Sequence, residues 1–222
     1  MSRSSARRAL PGVALTLLGC GLLAGARADD PPEGFARLFN GKDLTGFRSV
    51  VRGDDADPAK TWSVKDGIII CTGQPYGYLY TERPYKNYVL RYDWRYVRPD
   101  GLKDDSMFTG NSGLLVHIQG EHKVWPSCIE VQGMNGHHGE IFRLGEVEFK
   151  QTKFDKKAQQ AAVKPVGEWN TTEVTCQGNT VTSRLNGTLI CSGEGNVSAG
   201  PIGWQSEGAE IHLRNICIKE LK

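Results

Sequence analysis

The sequence lacks the short motifs that mark several common reactions. It contains no Gly-x-Ser-x-Gly elbow, no Walker phosphate loop and no Gly-x-Gly-x-x-Gly dinucleotide fingerprint. Each of these motifs supplies a nucleophile or a cradle of backbone N–H groups that its chemistry needs. Serine hydrolysis, phosphoryl transfer and nicotinamide chemistry are therefore not indicated.

Cysteine is scarce and irregularly spaced. The chain has six cysteines, with Cys20 near the N-terminus, and it has no Cys-x-x-Cys pair. The odd number beyond Cys20 argues against a complete disulfide framework, and the missing pair leaves a zinc knuckle unsupported. One bridge remains open in an oxidising compartment, but most of these thiols are expected to be buried.

Strong charge of one sign is also missing. The formal net charge is +2, and residues 1–28 hold four arginines and no acidic residue, so the rest of the chain is slightly acidic. Binding to a phosphate backbone needs a basic surface. The sequence therefore predicts no nucleic-acid partner.

The N-terminus has the layout of a secretory signal peptide. Three arginines among the first eight residues precede an apolar run from Leu10 to Ala26, and Ala26-Arg27-Ala28 offers a small-residue cleavage site. A proline and several glycines interrupt the run, which is shorter than the ~20 residues of a membrane-spanning helix. We therefore predict a signal peptide over residues 1–28, with no transmembrane helix in the mature chain.

Export makes the periplasm or the extracellular space the expected location. A second possibility is a lipid anchor, because Leu17-Leu18-Gly19-Cys20 also resembles a bacterial lipoprotein cleavage site that would leave the lipid on Cys20.

The remainder, residues 29–222, has the pattern of an all-β domain. Short runs rich in Val, Ile, Tyr and Trp alternate with Gly, Pro, Asn and Asp. This pattern predicts a single two-sheet antiparallel β-sandwich of the jelly-roll type. The predicted strands cover residues 35–39, 62–65, 68–72, 77–80, 88–96, 112–119, 127–132, 173–177, 180–185, 188–192, 200–205 and 210–220.

One short helix is predicted within a long insertion at residues 133–167. Asp155 can cap Lys156 to Val163, which Pro165 ends, and the apolar side of this segment is only Ala and Val. Because so small an apolar side buries little surface, the helix is expected to lie on the surface of the domain. Long insertions in a compact sandwich often form functional loops.

Two adjacent predicted strands carry the best candidate site. Successive strand side chains point to opposite faces, so one face of the first strand carries Asn111, Gly113, Leu115 and His117. In the second strand, Glu130 and Gln132 face away from the core. A carboxylate, a carboxamide and an imidazole together can bind sugar hydroxyls and move protons. An ordinary solvated sheet face would show the same spacing.

Three further residues are candidates for substrate binding. Gln205 alternates with the apolar Trp204, and Glu207 would follow it on the polar side. Trp125 precedes a proline in a loop, where its indole could stack on a sugar ring. Arg95 lies on the charged side of residues 88–96, which could border the same concave surface or form an exposed ladder of ion pairs.

A divalent metal also remains open. His117, Glu130 and a histidine of the glycine-rich loop that holds His137 and His138 could form a metal site. A neutral imidazole of His117 or His138 that accepts or donates a proton needs fewer assumptions. No cofactor is predicted with certainty.

An ordered series of short motifs resembles the 3-keto-disaccharide hydrolase domain family. It begins at Leu38-Phe39-Asn40-Gly41-Lys42-Asp43-Leu44-Thr45-Gly46-Phe47. It continues through Trp62 to Gly67, Asn111-Ser112-Gly113, Glu130-Val131-Gln132, Glu168-Trp169-Asn170, Leu185-Asn186-Gly187, Gly200 to Gln205 and Arg214-Asn215-Ile216.

This resemblance implies a concanavalin A-like lectin/glucanase fold, typically exported by bacteria, that acts on glycosides oxidised at C3. A ketone at C3 acidifies the C2 hydrogen, so that a base can remove it, the aglycone can leave from C1, and water can add back. Glucanases of this fold carry further acids on the strand of Glu130, whereas here position 132 is glutamine. Ordinary retaining hydrolysis is therefore not expected.

The sequence thus predicts an exported hydrolase or lyase of 3-keto-glycosides. Glu130 would transfer a proton with His117 or His138 as its partner. The predicted substrate contacts are Asn111, Gln132, Gln205, Trp125 and Arg95. Where relatives often carry arginine after the Asn-Ser-Gly strand, this chain has His117, so that position departs from the family. The alternative is a non-catalytic carbohydrate-binding module.

Overall fold

The computed structural model describes Met1 and residues 30–222. The predicted signal peptide and Cys20 therefore lie, apart from Met1, outside the described residues. Within the described part of the chain, no helix is long and apolar enough to cross a membrane.

Two antiparallel sheets pack face to face, which confirms the predicted β-sandwich. In chain order the strands are β1 (Ala36–Arg37), β2 (Phe47–Val51), β3 (Trp62–Lys65), β4 (Ile68–Cys71), β5 (Gly77–Thr81), β6 (Tyr88–Tyr96), β7 (Gly113–Gln119), β8 (Ser127–Gln132), β9 (Ile141–Leu144), β10 (Phe149–Phe154), β11 (Asn170–Gln177), β12 (Thr180–Leu185), β13 (Thr188–Gly195), β14 (Gly203–Ser206) and β15 (Ile211–Glu220). The single short helix, α1, spans Lys156–Ala162.

The nine-stranded sheet has the order β10-β13-β12-β11-β6-β15-β4-β3, with β1 paired to β15. The six-stranded sheet has the order β2-β5-β14-β7-β8-β9. The turns at Asp66-Gly67 and Asn186-Gly187 have positive φ angles at both residues, as tight hairpins require.

Alternating side chains build the core between the sheets. On β6, Leu90, Tyr92 and Trp94 are buried against the six-stranded sheet, from which Leu114 and Trp204 face them. Trp204 joins the two layers, because its ring contacts Phe47 of one sheet and Tyr92 of the other, at centroid distances of 6.1 and 5.8 Å.

Three strands escaped the sequence prediction, and all three are edge strands. These are β2 and β9, the two edges of the six-stranded sheet, and β10, an edge of the nine-stranded sheet. Edge strands pair on one side only and tolerate charged residues, so their apolar alternation is weak. The predicted insertion at residues 133–167 therefore contains two strands besides the helix.

All five cysteines within residues 30–222 are unpaired and buried. They act as small apolar side chains in this fold, as most of them were expected to do.

Removing the ring that joins the two layers should destabilise the domain strongly. We expect Trp204→Ala, at a residue only 2% exposed, to lower the free energy of unfolding by about 3–5 kcal/mol because it leaves a large cavity. Phe142→Ala, at a residue 40% exposed, should change it by less than about 1 kcal/mol. Urea denaturation of both variants measures this, and equal losses would contradict the role assigned to Trp204.

Candidate functional site

Three neighbouring strands of the six-stranded sheet build a polar cluster on its outer face. Gln205 of β14 and Glu130 of β8 flank Gly113 of β7. A Cβ atom at Gly113 would fall within 3.0 Å of both Gln205 Oε1 and Glu130 Oε1. The two side chains therefore meet above a residue that has none, and only glycine leaves them this space.

Glu130 is buried in this cluster, with 7% of its surface exposed. Burial raises the pKa of its carboxyl group, the negative charge of Glu207 raises it further, and a hydrogen bond from Gln205 opposes the shift, for a value of about 7. A carboxyl group with this pKa exchanges a proton readily at neutral pH.

Glu207 is the second carboxyl group of the site. It follows Gln205 by two residues, so the two side chains lie on the same face of the sheet. Burial raises the pKa of Glu207, and a hydrogen bond from Asn111 lowers it. Backbone bridges connect Asn111 to Glu207 and to Gly208. Asn111, Gln205 and Glu130 are thus brought together as predicted, with Glu207 beside them.

The two carboxamides of the cluster have spare acceptors. Asn111 Oδ1 and Gln205 Oε1 are buried and have no hydrogen-bond partner among the described residues. A buried acceptor without a donor is unfavourable. A ligand that carries hydrogen-bond donors would supply the missing partners.

Aromatic side chains surround the cluster. The loop between β7 and β8 stacks the His122 ring on the Tyr80 ring, with centroids 3.9 Å apart. The Nδ1 atom of His122 lies 3.0 Å from the Tyr78 hydroxyl, within hydrogen-bonding distance. Burial lowers the pKa of His122, which favours the neutral imidazole. Trp125 belongs to the same loop, and its ring centroid lies 6.2 Å from that of Tyr76.

Phe142 of β9 completes this surface. It is the cross-strand partner of Glu130 and therefore lies on the same face. Neither Phe142 nor His122 was predicted, because their places depend on an unrecognised edge strand and on the path of a loop. The alternation with Gln205 was the available signal for Glu207.

His117 does not lie on the face of Glu130, so its predicted placement is wrong. The β7–β8 register shifts between Val116 and Gln119, and His117 has a φ of 55°. Its imidazole turns towards the core, 6.1 Å from the Tyr88 ring, while Ile118 joins Leu115 on the outer face. A β-bulge of this kind reverses the alternation on which the prediction relied.

His138 also lies inside the sandwich, contrary to the predicted placement. Its ring stacks on Trp94 with a centroid distance of 4.7 Å. Burial and the nearby charges of His137 and Lys156 lower its pKa to about 3. An imidazole held neutral by the apolar core packs as an aromatic side chain at neutral pH.

The two remaining predicted contacts have structural partners. Arg95 lies on the outer face of the other sheet, where it covers the Trp169 ring at 4.7 Å, because β6 belongs to the nine-stranded sheet. Its predicted place beside Glu130 is therefore wrong. Gln132 is on the expected strand, but its Oε1 atom accepts hydrogen bonds from Gly133 N and Met134 N, both at 2.8 Å.

The metal site considered from the sequence is not assembled. His117 and His138 point into the core, whereas Glu130 faces outward. Among residues 30–222 no group of three or more His, Cys, Asp or Glu side chains is arranged to hold a metal ion.

Comparisons with known proteins place the chain in a family. A search of curated protein sequences finds no match. A crystal structure of a candidate glycosyl hydrolase from Parabacteroides distasonis is similar with a TM-score of 0.62 and 25% identity, over 86% of this chain and 95% of that one.

Two further structures share the fold at low identity. The carbohydrate-binding module CBM66 from Bacillus subtilis has a TM-score of 0.51 and 13% identity, over 79% of this chain and 96% of its own. A β-glucanase from Bacillus licheniformis has a TM-score of 0.51 and 11% identity, over 85% of this chain and 97% of its own.

The family model for the 3-keto-alpha-glucoside-1,2-lyase-like domain matches residues 34–219, which is nearly all of the described domain. This match confirms the resemblance found in the ordered motifs. The chain belongs to the family of 3-keto-alpha-glucoside-1,2-lyase-like domains.

Proposed function

We propose that this protein is an exported enzyme that cleaves 3-keto-glycosides by elimination followed by addition of water. The observation that carries the proposal is the electrostatically coupled pair of Glu130 and Glu207 on the outer face of the six-stranded sheet. The family description supports the substrate class and the elimination. Export rests on the N-terminal sequence pattern alone.

The coupled carboxyl pair can supply both proton transfers. Burial raises the pKa of both carboxyl groups, and the charge of Glu207 raises that of Glu130 further. One group can therefore be ionised near neutral pH while the other is protonated. The ionised group removes the C2 hydrogen that the C3 ketone acidifies. The protonated group donates to the glycosidic oxygen as the C1–O bond breaks and a C1=C2 double bond forms. Water then adds its hydroxyl group to C1 and a proton to C2.

The neighbouring groups suit a sugar ring. Asn111 and Gln205 would accept hydrogen bonds from its hydroxyls through their unpartnered oxygens. Trp125 and Phe142 offer apolar surfaces for stacking. The Tyr78–His122 pair is our candidate for stabilising the negative charge that develops on the ketone oxygen, because both groups are neutral hydrogen-bonding groups on this face.

The roles predicted from the sequence change accordingly. Glu130 keeps its proposed role in proton transfer, and Glu207 replaces His117 and His138 as its partner, because both histidines face the core.

A non-catalytic carbohydrate-binding module is the second candidate. The aromatic rim around Trp125 and Phe142 favours it, since such surfaces bind sugars without any chemistry. This alternative predicts saturable binding of an unoxidised glycan and no turnover.

Release of the aglycone tests the proposed enzyme directly. Purified protein should release the aglycone from 3-keto-glucosides, and Glu130→Gln or Glu207→Gln should each slow release by about 100-fold or more, because proton transfer is lost. The control is Glu82→Gln, which alters an exposed carboxylate paired with Arg48. Full release by Glu130→Gln would overturn the assignment. Saturable glycan binding by calorimetry without release would establish the binding module instead.

Isotope substitution separates elimination from direct hydrolysis. A 3-keto-glucoside with deuterium at C2 should react more slowly than the protiated substrate in single-turnover experiments, because the C2–H bond breaks. The hydrated product formed in D2O should carry solvent deuterium at C2. Equal rates together with a product free of deuterium would indicate direct displacement at C1 by the two carboxyl groups.

The raised pKa of Glu130 also predicts how stability depends on pH. Between pH 4.5 and 7 the folded state retains a proton that the unfolded state releases, so stability falls as the pH rises through this range. Glu130→Gln removes the cost of ionising a buried carboxyl group. This variant should therefore be more stable than the wild type above pH 7, by roughly 3 kcal/mol at most. Urea denaturation at pH 4 and pH 8 measures the difference. A constant difference at both pH values would contradict the raised pKa.

A further inference from the structure

A preformed groove opens at the end of the sandwich beside the carboxyl pair. Its volume is about 790 Å³, within the roughly 300–1,000 Å³ typical of small-ligand sites. Residues 97–110 form one wall and residues 208–210 form the other. The carboxyl chemistry does not use this groove.

Apolar side chains form part of the groove, beside the charged residues Asp100, Lys103 and Glu210. Its lining includes Val97, Leu102, Met107, Phe108 and Ala209. Met107 is 68% exposed and Val97 is 39% exposed, and together they are two of the four large apolar side chains that residues 30–222 expose. Exposed apolar side chains concentrated in one concavity mark a binding surface.

The groove is continuous with the polar site. Gly110, in one wall, precedes Asn111, and Gly208, in the other, follows Glu207. The backbone bridges of Asn111 to Glu207 and Gly208 therefore form the boundary between the two.

Hydrogen bonds hold the long wall in place. Arg98 pairs with Asp105 and also donates to the carbonyl oxygen of Leu102. Asn135 Nδ2 donates to the carbonyl oxygens of Asp105 and Phe108 at 2.7 and 2.9 Å. Asn135 belongs to the loop that directly follows β8, the strand of Glu130, so the wall is tied to the site. Binding there requires little ordering of the protein.

We propose that this groove is the aglycone subsite and that the protein acts on 3-keto-glycosides with large apolar aglycones. The inference rests on the proposed function. A sugar bound to the carboxyl and carboxamide groups directs its C1 substituent past Glu207, where Met107 and Phe108 meet it. An alkyl or aryl group would cover the exposed side chains of Met107 and Val97, and burial of that apolar surface favours such an aglycone.

The test compares substrates that differ only in the length of an alkyl aglycone. Methyl and hexyl 3-keto-glucosides have leaving groups of similar acidity, so a difference in kcat/KM reports on binding of the chain. We expect the wild type to prefer the hexyl compound by about tenfold or more. Met107→Ser should abolish most of this preference. Met134→Ser, which changes another exposed methionine outside the groove, should retain it. Equal kcat/KM values for the two substrates in the wild type would overturn the aglycone subsite while leaving the proposed function in place.

Binding measurements distinguish failure of the subsite from failure of the enzyme assignment. If the wild type cleaves neither substrate, the proposed function fails, and calorimetry with unoxidised methyl and hexyl glucosides then tests the groove alone. Tighter binding of the hexyl compound that Met107→Ser removes would support an apolar subsite. Equal binding of the two glucosides would reject it.

Discussion

The two-residue alternation across β14, β7 and β8 is the constraint on which both the core and the site depend. On β14 it buries Trp204 between the sheets and turns Gln205 outward one residue later. On β8 it buries Val131 in the core and turns Glu130 to the outer face. Because these strands are hydrogen-bonded neighbours, a shift in register would exchange core residues for site residues. The packing that stabilises the sandwich therefore also fixes where the polar groups meet.

The site is electrostatically unfavourable for the folded state. A carboxyl group at a nearly buried position beside another carboxyl group costs free energy when it ionises, and this is why the pKa of Glu130 is raised to about 7. The unpartnered oxygens of Asn111 and Gln205 add to this cost. Carboxyl groups in a cleft whose pKa is strongly shifted by burial and a neighbouring charge are characteristic of functional sites. Gly113 makes the arrangement possible, because any larger residue would separate Glu130 from Gln205.

Much of the fold could be predicted because central strands have strong apolar alternation, as β6 and β8 illustrate. The edge strands β2, β9 and β10 could not be predicted, because each pairs with only one neighbouring strand and its side chains need not alternate between apolar and polar. For the site, Glu130, Asn111 and Gln205 follow from period-two spacing. His117 fails because one bulge reverses the faces of its strand. Arg95 fails for a different reason. Its face on β6 was assigned correctly, but spacing along a strand cannot tell which of two sheets the strand joins.

The sequence by itself determined the class of fold, the family and the outward direction of Glu130, because alternation, turn residues and ordered motifs are local properties of the chain. The tertiary structure alone decided that the charge of Glu207 acts on Glu130, that His117 and His138 belong to the core, and that a groove adjoins the polar cluster. These outcomes depend on strand order, on a bulge and on the path of loops between distant segments. Such contacts arise only when the two sheets close over a common core, so no local pattern in the chain encodes them.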